Sequence, residues 1–374
     1  VTVLLVRPAA SGGLAAHVDH ELRLLREAGA AVREAPVRIR ERPHPLEDLR
    51  TVRALRRTVA DTPGATTVHA HGLRAGALAA LAVTGRRRDR LVVTLHNRTV
   101  GSRPVRTVGA LLLRVLARRA DVVLAVSPDL ASDARRAGAR DVRHAVIPAP
   151  RTAPGPDPSR PDRPGERAPS TDDAPAEDLQ DRTGAAHDEA GAAPDEAGAA
   201  TLEVLVIARL APQKGLHDLL EAARLLRQSG PVRVRIAGEG PLREELAVRI
   251  EADRLPVELL GRREDVPALL AACDAVASAA HWEGQPVALQ EALRAGAAIV
   301  ATDAGGTRWV TGDAASLVPV GDAAGLARAL AALRDPSARD AARAASRRRA
   351  HELPDDEALR TQLAEVLAPG ARTW

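Results

Sequence analysis

The feature that most constrains this chain is a strict alternation of short, near-continuously apolar runs with amphipathic stretches of helical period. VTVLLVR (1–7), TTVHAHG (66–72), LVVTLHN (91–97) and DVVLAVS (121–127) read as buried strands. LAAHVDHELRLLREAG (14–29), RAGALAALAVTG (74–85), TVGALLLRVLARRA (107–120) and PDLASDARRAG (128–138) read as helices between and after them. A strand that is apolar on both faces must be covered on both faces, so the pattern predicts an α/β fold with a parallel sheet and helix layers on either side. Residues 149–200 break the pattern. They are rich in Pro, Gly, Asp and Ala, and DEAGAA occurs at 188–193 and again at 195–200. A segment so poor in large apolar residues cannot bury a core, and it reads as a disordered linker. The alternation resumes with LEVLVIARL (202–210) and runs through SLVPVGD (316–322) to two closing helices near 336–352 and 355–367. The expected organisation is therefore two doubly wound parallel-sheet domains, 1–148 and 201–352, joined by the linker 149–200. A C-terminal helix in 353–374 is placed to cross back to the first domain.

Composition matters here mainly through scarcity. Of the 53 basic residues 52 are Arg; Lys214 is the single Lys and Asn97 the single Asn, and Phe, Tyr and Met are absent. Such skew reads as coding bias, so an abundant Arg says little and a lone Lys is worth locating. The single Cys, Cys273, excludes an internal disulfide and reads as core. VTVLLV is too short for a signal-peptide core, and no apolar stretch approaches a membrane span, so a cytoplasmic protein is expected. Residues 1–150 carry 26 Arg against 13 acidic residues, a net charge of +13. That excess points to an anionic partner, either a membrane surface or a phosphorylated acceptor. Nucleic acid is not expected, because no motif supports it.

Ligands of such sheets collect beyond the C-terminal strand ends. Those ends carry Gly12–Gly13, His69–His71, His96–Asn97, Ser127, Arg209, Gly238–Gly240, Glu283 and Gly305–Gly306. In ARLAPQKG, Arg209 and Lys214 stand on one short loop before a helix start, a place where two cations can clamp a diphosphate. In AGEGPL, Gly238 and Gly240 permit close backbone approach, although the full GxGxxG fingerprint is missing and a plain strand–helix turn reads equally well. In HWEGQPVALQEALRAG (281–296), Pro286 suits the first helical position and leaves free N–H groups for phosphate or sugar oxygens. Glu283 before that turn and Glu291 inside the helix can accept hydrogen bonds from a polyol. Read alone, the same stretch is equally a solvated helix with surface glutamates. His69 and His71 show no convergent acidic partner in the sequence, so no metal site is expected. His17 reads as either a cleft or a surface residue, and His96 beside Asn97 is the better functional candidate. Ser127 has no GxSxG context for a hydrolase nucleophile.

Together these motifs resemble glycosyltransferase family 4, the retaining enzymes of GT-B fold with two Rossmann-like domains facing across a cleft. The resemblance rests on SGGLAAHVDHELRLLREAG, VHAHG, TLHN and AVSPDLASDARRAG in the first domain. In the second it rests on ARLAPQKGLHDLLEA, IAGEGPL, LLGRREDVPALLAACD, EGQPVALQEALRAG and VATDAGG. It implies transfer of a hexose from a UDP- or GDP-linked donor to an acceptor alcohol, in cell-envelope glycan or glycolipid synthesis, with no cofactor and no metal. By position, Arg209 and Lys214 would hold the donor diphosphate, Glu291 the ribose and Glu283 the transferred sugar. The N–H groups of Gly284, Gln285, Pro286-flanked Val287, Ala288 and Leu289 would meet sugar and phosphate oxygens. Gly12 and Gly13 would line the phosphate or acceptor side, and His96 would lie near the reacting sugar. Ala149–Pro150, Gln285 and Trp309 depart from the family pattern. Two other readings remain open on sequence: a nucleotide-sugar epimerase of similar shape, and a non-catalytic sugar-nucleotide-binding protein. The acceptor is expected to be anionic or lipid-linked, with the basic domain in peripheral contact with an anionic membrane.

Overall fold

The computed structural model describes residues 1–9, 13–40, 44–99, 102–149 and 200–370. Gly12 and nearly all of the expected linker, 150–199, lie outside the described residues. The first sheet is built from β1 (Thr2–Val6), β2 (Val32–Glu34), β3 (Thr66–His71), β4 (Arg90–Leu95), β5 (Val122–Ala125) and β6 (Val142–His144). Their order is β2-β1-β3-β4-β5-β6, and every ladder is parallel. Around them lie α1 (Gly13–Glu27), α2 (Pro45–Ala60), α3 (Leu73–Val83), α4 (Arg103–Arg119) and α5 (Pro128–Arg136). β3 is buried at all six positions and β4 at five of six, as strands covered on both faces must be.

The second sheet holds β7 (Leu202–Ile207), β8 (Val232–Ala237), β9 (Val257–Gly261), β10 (Ala275–Ser278), β11 (Ala298–Thr302) and β12 (Ala315–Val318). Its order is β12-β11-β10-β7-β8-β9, again all parallel. The helices here are α6 (Leu216–Leu226), α7 (Arg243–Ala252), α8 (Val266–Ala271), α9 (Val287–Arg294), α10 (Thr307–Thr311), α11 (Ala323–Ala332) and α12 (Pro336–Ala350). In each sheet the strand order reverses once, between β1 and β3 and between β7 and β10, and the crevice of a doubly wound sheet opens at that reversal.

The last helix, α13 (Asp356–Leu367), leaves the second domain. Leu359, Leu363, Val366 and Leu367 join the core of the first sheet, each at most 2% exposed. Burial of this size contributes about 2 kcal/mol per side chain. The Thr67 hydroxyl donates to the Leu367 carbonyl at 2.8 Å, and His20 pairs with Asp356 at 3.0 Å. The chain between β6 and residue 149 is held from the other side. Gln290 accepts from the Ala149 amide at 3.1 Å and donates to the Ile147 carbonyl at 2.9 Å, while Arg294 donates to the Ala149 carbonyl at 2.6 Å. The segment expected to begin the linker at 149 is therefore still bound to the second domain there.

Candidate active site

The reversal in the second sheet brings the end of β7 beside the end of β10. Arg209 follows β7, and its loop leans on the turn after β8: the Leu210 amide donates to the Glu239 carbonyl at 2.8 Å. This explains the two glycines of AGEGPL. Gly238 has φ +149°, and a Cβ there would lie 1.9 Å from the Ala208 carbonyl oxygen; Gly240 has φ +157°, with its Cβ 2.4 Å from that of Leu210. The close approach is to the chain itself. Gly238 also lines the cleft cavity; Gly240 is not among its lining residues.

Lys214 ends a 3₁₀ turn, Pro212–Lys214, that is strapped to the loop after β10. The His281 amide donates to the Gln213 carbonyl at 2.9 Å. Gly215, left-handed at φ +60°, lies so close to Ala279 that a Cβ would meet its carbonyl oxygen at 1.9 Å. The result is a contact between residues 69 apart in sequence, with Lys214 Nζ 2.5 Å from Glu283 Oε1. The Arg209 side chain is exposed and has no ion pair or hydrogen bond among the described residues. Pro286 is the N-cap of α9, and the helix begins at Val287, one residue later than its sequence suggests. The amides of Val287 and Ala288, at the first two helical positions, have no acceptor one turn back, and the helix dipole adds to their pull on an anion. The Leu289 amide is taken by the Pro286 carbonyl at 3.1 Å, so it is not a free donor as expected. Burial raises the Glu291 carboxyl above its ordinary pKa, with Arg294 opposing.

These groups share one cavity of about 740 Å³, lined among others by Arg209, Lys214, Glu283, Gly284, Gln285, Pro286, Val287, Ala288, Leu289 and Glu291. The first domain supplies the facing wall through Leu14, His17, His96, Asn97 and Val126. The two walls touch: a Cβ on Gly284 would lie 2.7 Å from Val126. Trp282 Nε1 donates to Asp129 at 2.8 Å, and the Gln285 amide donates to His144 Nε2 at 2.9 Å and to the Ala145 carbonyl. Gln285 thus joins the domains as well as lining the cavity. Trp309 packs against His144 with ring centres 4.0 Å apart.

Behind His96 the structure assembles what the sequence conceals. Glu21 of α1 is 1% exposed, and its carboxylate sits 2.6 Å from His69 Nδ1 and 3.6 Å from His71 Nε2. His71 Nδ1 lies 3.1 Å from His96 Nε2, and His69 Nε2 lies 2.8 Å from the Thr94 hydroxyl. Glu21 is the acidic partner that His69 and His71 lacked in the sequence reading. Burial alone would raise its pKa, but the imidazoles of His69 and His71 outweigh that and hold it well below the carboxylate range. Burial pushes His71 down and His96 well down, and takes His17 to about 4 against the pull of Glu21. Gly13 is the first residue of α1 and is not among the described residues that line the cleft cavity. Cys273 is 4% exposed with its thiol raised by burial to about 11, a core residue.

Two family models match the chain. "Glycosyl transferase 4-like domain" covers residues 1–150, and "Glycosyl transferases group 1" covers residues 201–335. The chain belongs to the GT-B glycosyltransferases. Family 4 is consistent with both matches and with the sequence motifs. The chain is 38% identical over 144 residues to the putative colanic acid biosynthesis glycosyltransferase WcaL of Escherichia coli K12, covering 35% of this chain and 36% of that protein. It is 30% identical over 178 residues to glycogen synthase of Mycobacterium tuberculosis, covering 46% and 43%. The matched stretches thus span well under half of these curated relatives. Solved structures share the fold over nearly the whole length. Anabaena Alr3699/HepE in complex with UDP-glucose has a TM-score of 0.68 at 21% identity, covering 98% of this chain and 99% of that one. Sucrose-phosphate synthase of Thermosynechococcus elongatus has 0.72 at 18%, covering 98% of each.

The chain gathers the donor-side residues singled out in its sequence, Arg209, Lys214, Gly238, Glu283 and Glu291, around one cleft with His96. Sequence reasoning missed Glu21, Trp282 and Gln290. Glu21 had a visible signal, a carboxylate one helical turn after His17. Trp282 and Gln290 act across the two domains, where no local pattern reports them.

Proposed function

We propose that the transferase moves a hexose from a nucleoside-diphosphate sugar to an acceptor alcohol with retained configuration. The observation that carries this is the convergence of Arg209, Lys214, Glu283, Glu291 and the first amides of α9 on one cavity between the domains. A donor diphosphate laid at the α9 N-terminus meets the Val287 and Ala288 amides and draws Lys214 from Glu283 towards itself. Arg209 and Lys214 then neutralise the charge that grows on the departing phosphate. Freed from Lys214, Glu283 accepts from hydroxyls of the sugar, and Glu291 accepts from those of the ribose. Attack comes from the leaving-group face, with no protein nucleophile, and the two cations supply the neutralisation, so the reading calls for no resident metal. UDP-glucose in the Anabaena neighbour supports a nucleotide-sugar donor.

The acceptor enters from the basic first domain, and we infer an anionic or lipid-linked alcohol at the inner face of a membrane. The test of the donor reading is a panel of nucleotide sugars with cell-extract acceptors, read by mass spectrometry. Appearance of one hexose-extended product with release of nucleoside diphosphate is expected. Isomerisation of the donor with no extended product would assign an epimerase instead.

A further inference from the structure

Glu21 stands apart from the donor groups, yet it is a fully buried carboxylate directly behind the cleft wall, its Oε2 3.7 Å from His17 Nε2 and two contacts from His96. Its Oε2 faces His71 Nε2 at 3.6 Å, beyond hydrogen-bond distance, and that nitrogen is buried with no hydrogen-bond partner. A bare lone pair would not be stable against a carboxylate, so the proton of neutral His71 belongs on Nε2. His71 Nδ1 is then an acceptor, and at 3.1 Å it takes the proton of His96 Nε2. Only Nδ1 of His96 remains for a ligand in the cleft, and it carries no proton.

We propose that Glu21 is a positioning residue: acting through His71, it fixes His96 in the Nε2–H tautomer, so that His96 offers the cleft a hydrogen-bond acceptor and selects a hydroxyl there. This rests on the reading of the cleft as the reaction site only for its consequence, because the tautomer itself is a property of the free protein. His69 reinforces the arrangement. Its Nδ1 lies 2.6 Å from Glu21 Oε1 and its Nε2 lies 2.8 Å from the Thr94 hydroxyl. Two groups place ligand atoms within 4.8 Å of one another, as a metal site would: His17, His71 and His96, for which the zinc content of the purified protein is the test, and Glu21, His69 and His71. In the second group the 2.6 Å between Glu21 and His69 is too short for two ligands on a tetrahedral zinc, which at about 2.0–2.1 Å each stand roughly 3.3 Å apart.

The experiment is long-range proton–nitrogen NMR on the full chain with labelled histidine, at neutral pH and without substrate. The His96 signals are assigned by their loss in His96→Gln. The expected result is a bare Nδ1 and a protonated Nε2 for His96. Glu21→Gln, whose amide can donate to His71 Nε2, should move His96 towards the Nδ1–H form. It should also lower kcat roughly tenfold, the scale of one lost hydrogen bond, with little change in donor KM. A protonated Nδ1 in the parent protein overturns the proposal even if Glu21→Gln does not fold. So does an unchanged His96 tautomer in a folded Glu21→Gln, or stoichiometric zinc in the purified protein by elemental analysis. The NMR arms need no activity, so they can fail while the transferase reading stands.

Discussion

Lys214 sits 2.5 Å from Glu283 in the free protein, with 23% and 13% of the two side chains exposed. That pairing keeps a largely buried carboxylate satisfied until a diphosphate competes for the cation. Lys214→Ala should leave the melting temperature near that of the parent and reduce turnover by roughly two to four orders of magnitude, the scale of one preorganised charge donor. Near-normal turnover in a folded variant would remove Lys214 from the mechanism. The buried imidazoles make a second prediction at this scale. The folded pKa of His17, about 4, lies below its ordinary value of 6.5, so between the two the unfolded chain binds more protons than the folded one. Stability is then complete above about pH 6.5 and falls as pH drops towards 4. His71 and His96, also depressed, act in the same direction, and Glu21 adds its own loss only at lower pH. For His17 alone the loss approaches ~3 kcal/mol by pH 4. Urea midpoints across pH 7 to 4.5 should decline in the parent and decline less steeply in His17→Gln; a flat profile in the parent would place these histidines in water.

Elements meet the cleft through glycine turns, and each turn has a steric reason. The turn after β8 carries Arg209's loop because Gly238 lets the two backbones touch. Gly238→Ala adds a Cβ at 1.9 Å from the Ala208 carbonyl in a φ of +149°, where relief requires the turn to move. A loss of at least ~2 kcal/mol is expected, because strained backbone and displaced hydrogen bonds act together. A denaturant midpoint equal to that of the parent would show that the turn has slack. Gly306 does the same work between elements: its Cβ would lie 1.8 Å from the Gly284 carbonyl oxygen and 2.9 Å from that of Val126 in the other domain. The sequence displayed these glycines as possible ligand contacts. Their actual neighbours are other turns, which is information that only packing holds.

Over the whole molecule, charge and exposed apolar surface coincide on α4. Val105, Val108 and Leu111 are 47%, 46% and 61% exposed, and Arg103, Arg114 and Arg118 stand exposed on the same helix. Not all of the Arg residues behind the +13 charge of residues 1–150 are free for a partner. Arg119 donates to the carbonyls of Val83, Arg86 and Asp89, and Arg86 pairs with Asp89 at 2.5 Å, so both serve the fold. Among the described residues no helix is long and apolar enough to cross a membrane. Peripheral docking of α4 should therefore appear as co-sedimentation with anionic vesicles that weakens as salt rises, since exposed charges act over roughly 8–10 Å at physiological salt. Leu111→Ser should weaken it further. Equal binding to neutral vesicles, or none to either, would return the charge of the first domain to coding bias.

The sequence by itself determined the two parallel sheets, because a strand apolar on both faces and a helix of period 3.6 are local patterns. It also determined the main donor-side candidates, since Arg209, Lys214, Glu283 and Glu291 lie within short segments at strand ends. Tertiary structure decided what faces what. The strand order, read nowhere in the alternation, placed β7 beside β10 and so put Lys214 against Glu283. The return of α13 to the first domain and the hold of Gln290 on residues 147–149 depend on surfaces far apart in the chain. Glu21 shows the limit most clearly. On α1 it reads as one more polar residue of an amphipathic helix, and only the packing of that helix over β3 buries it among His69 and His71, where a carboxylate must find donors and so orders the histidines in front of it.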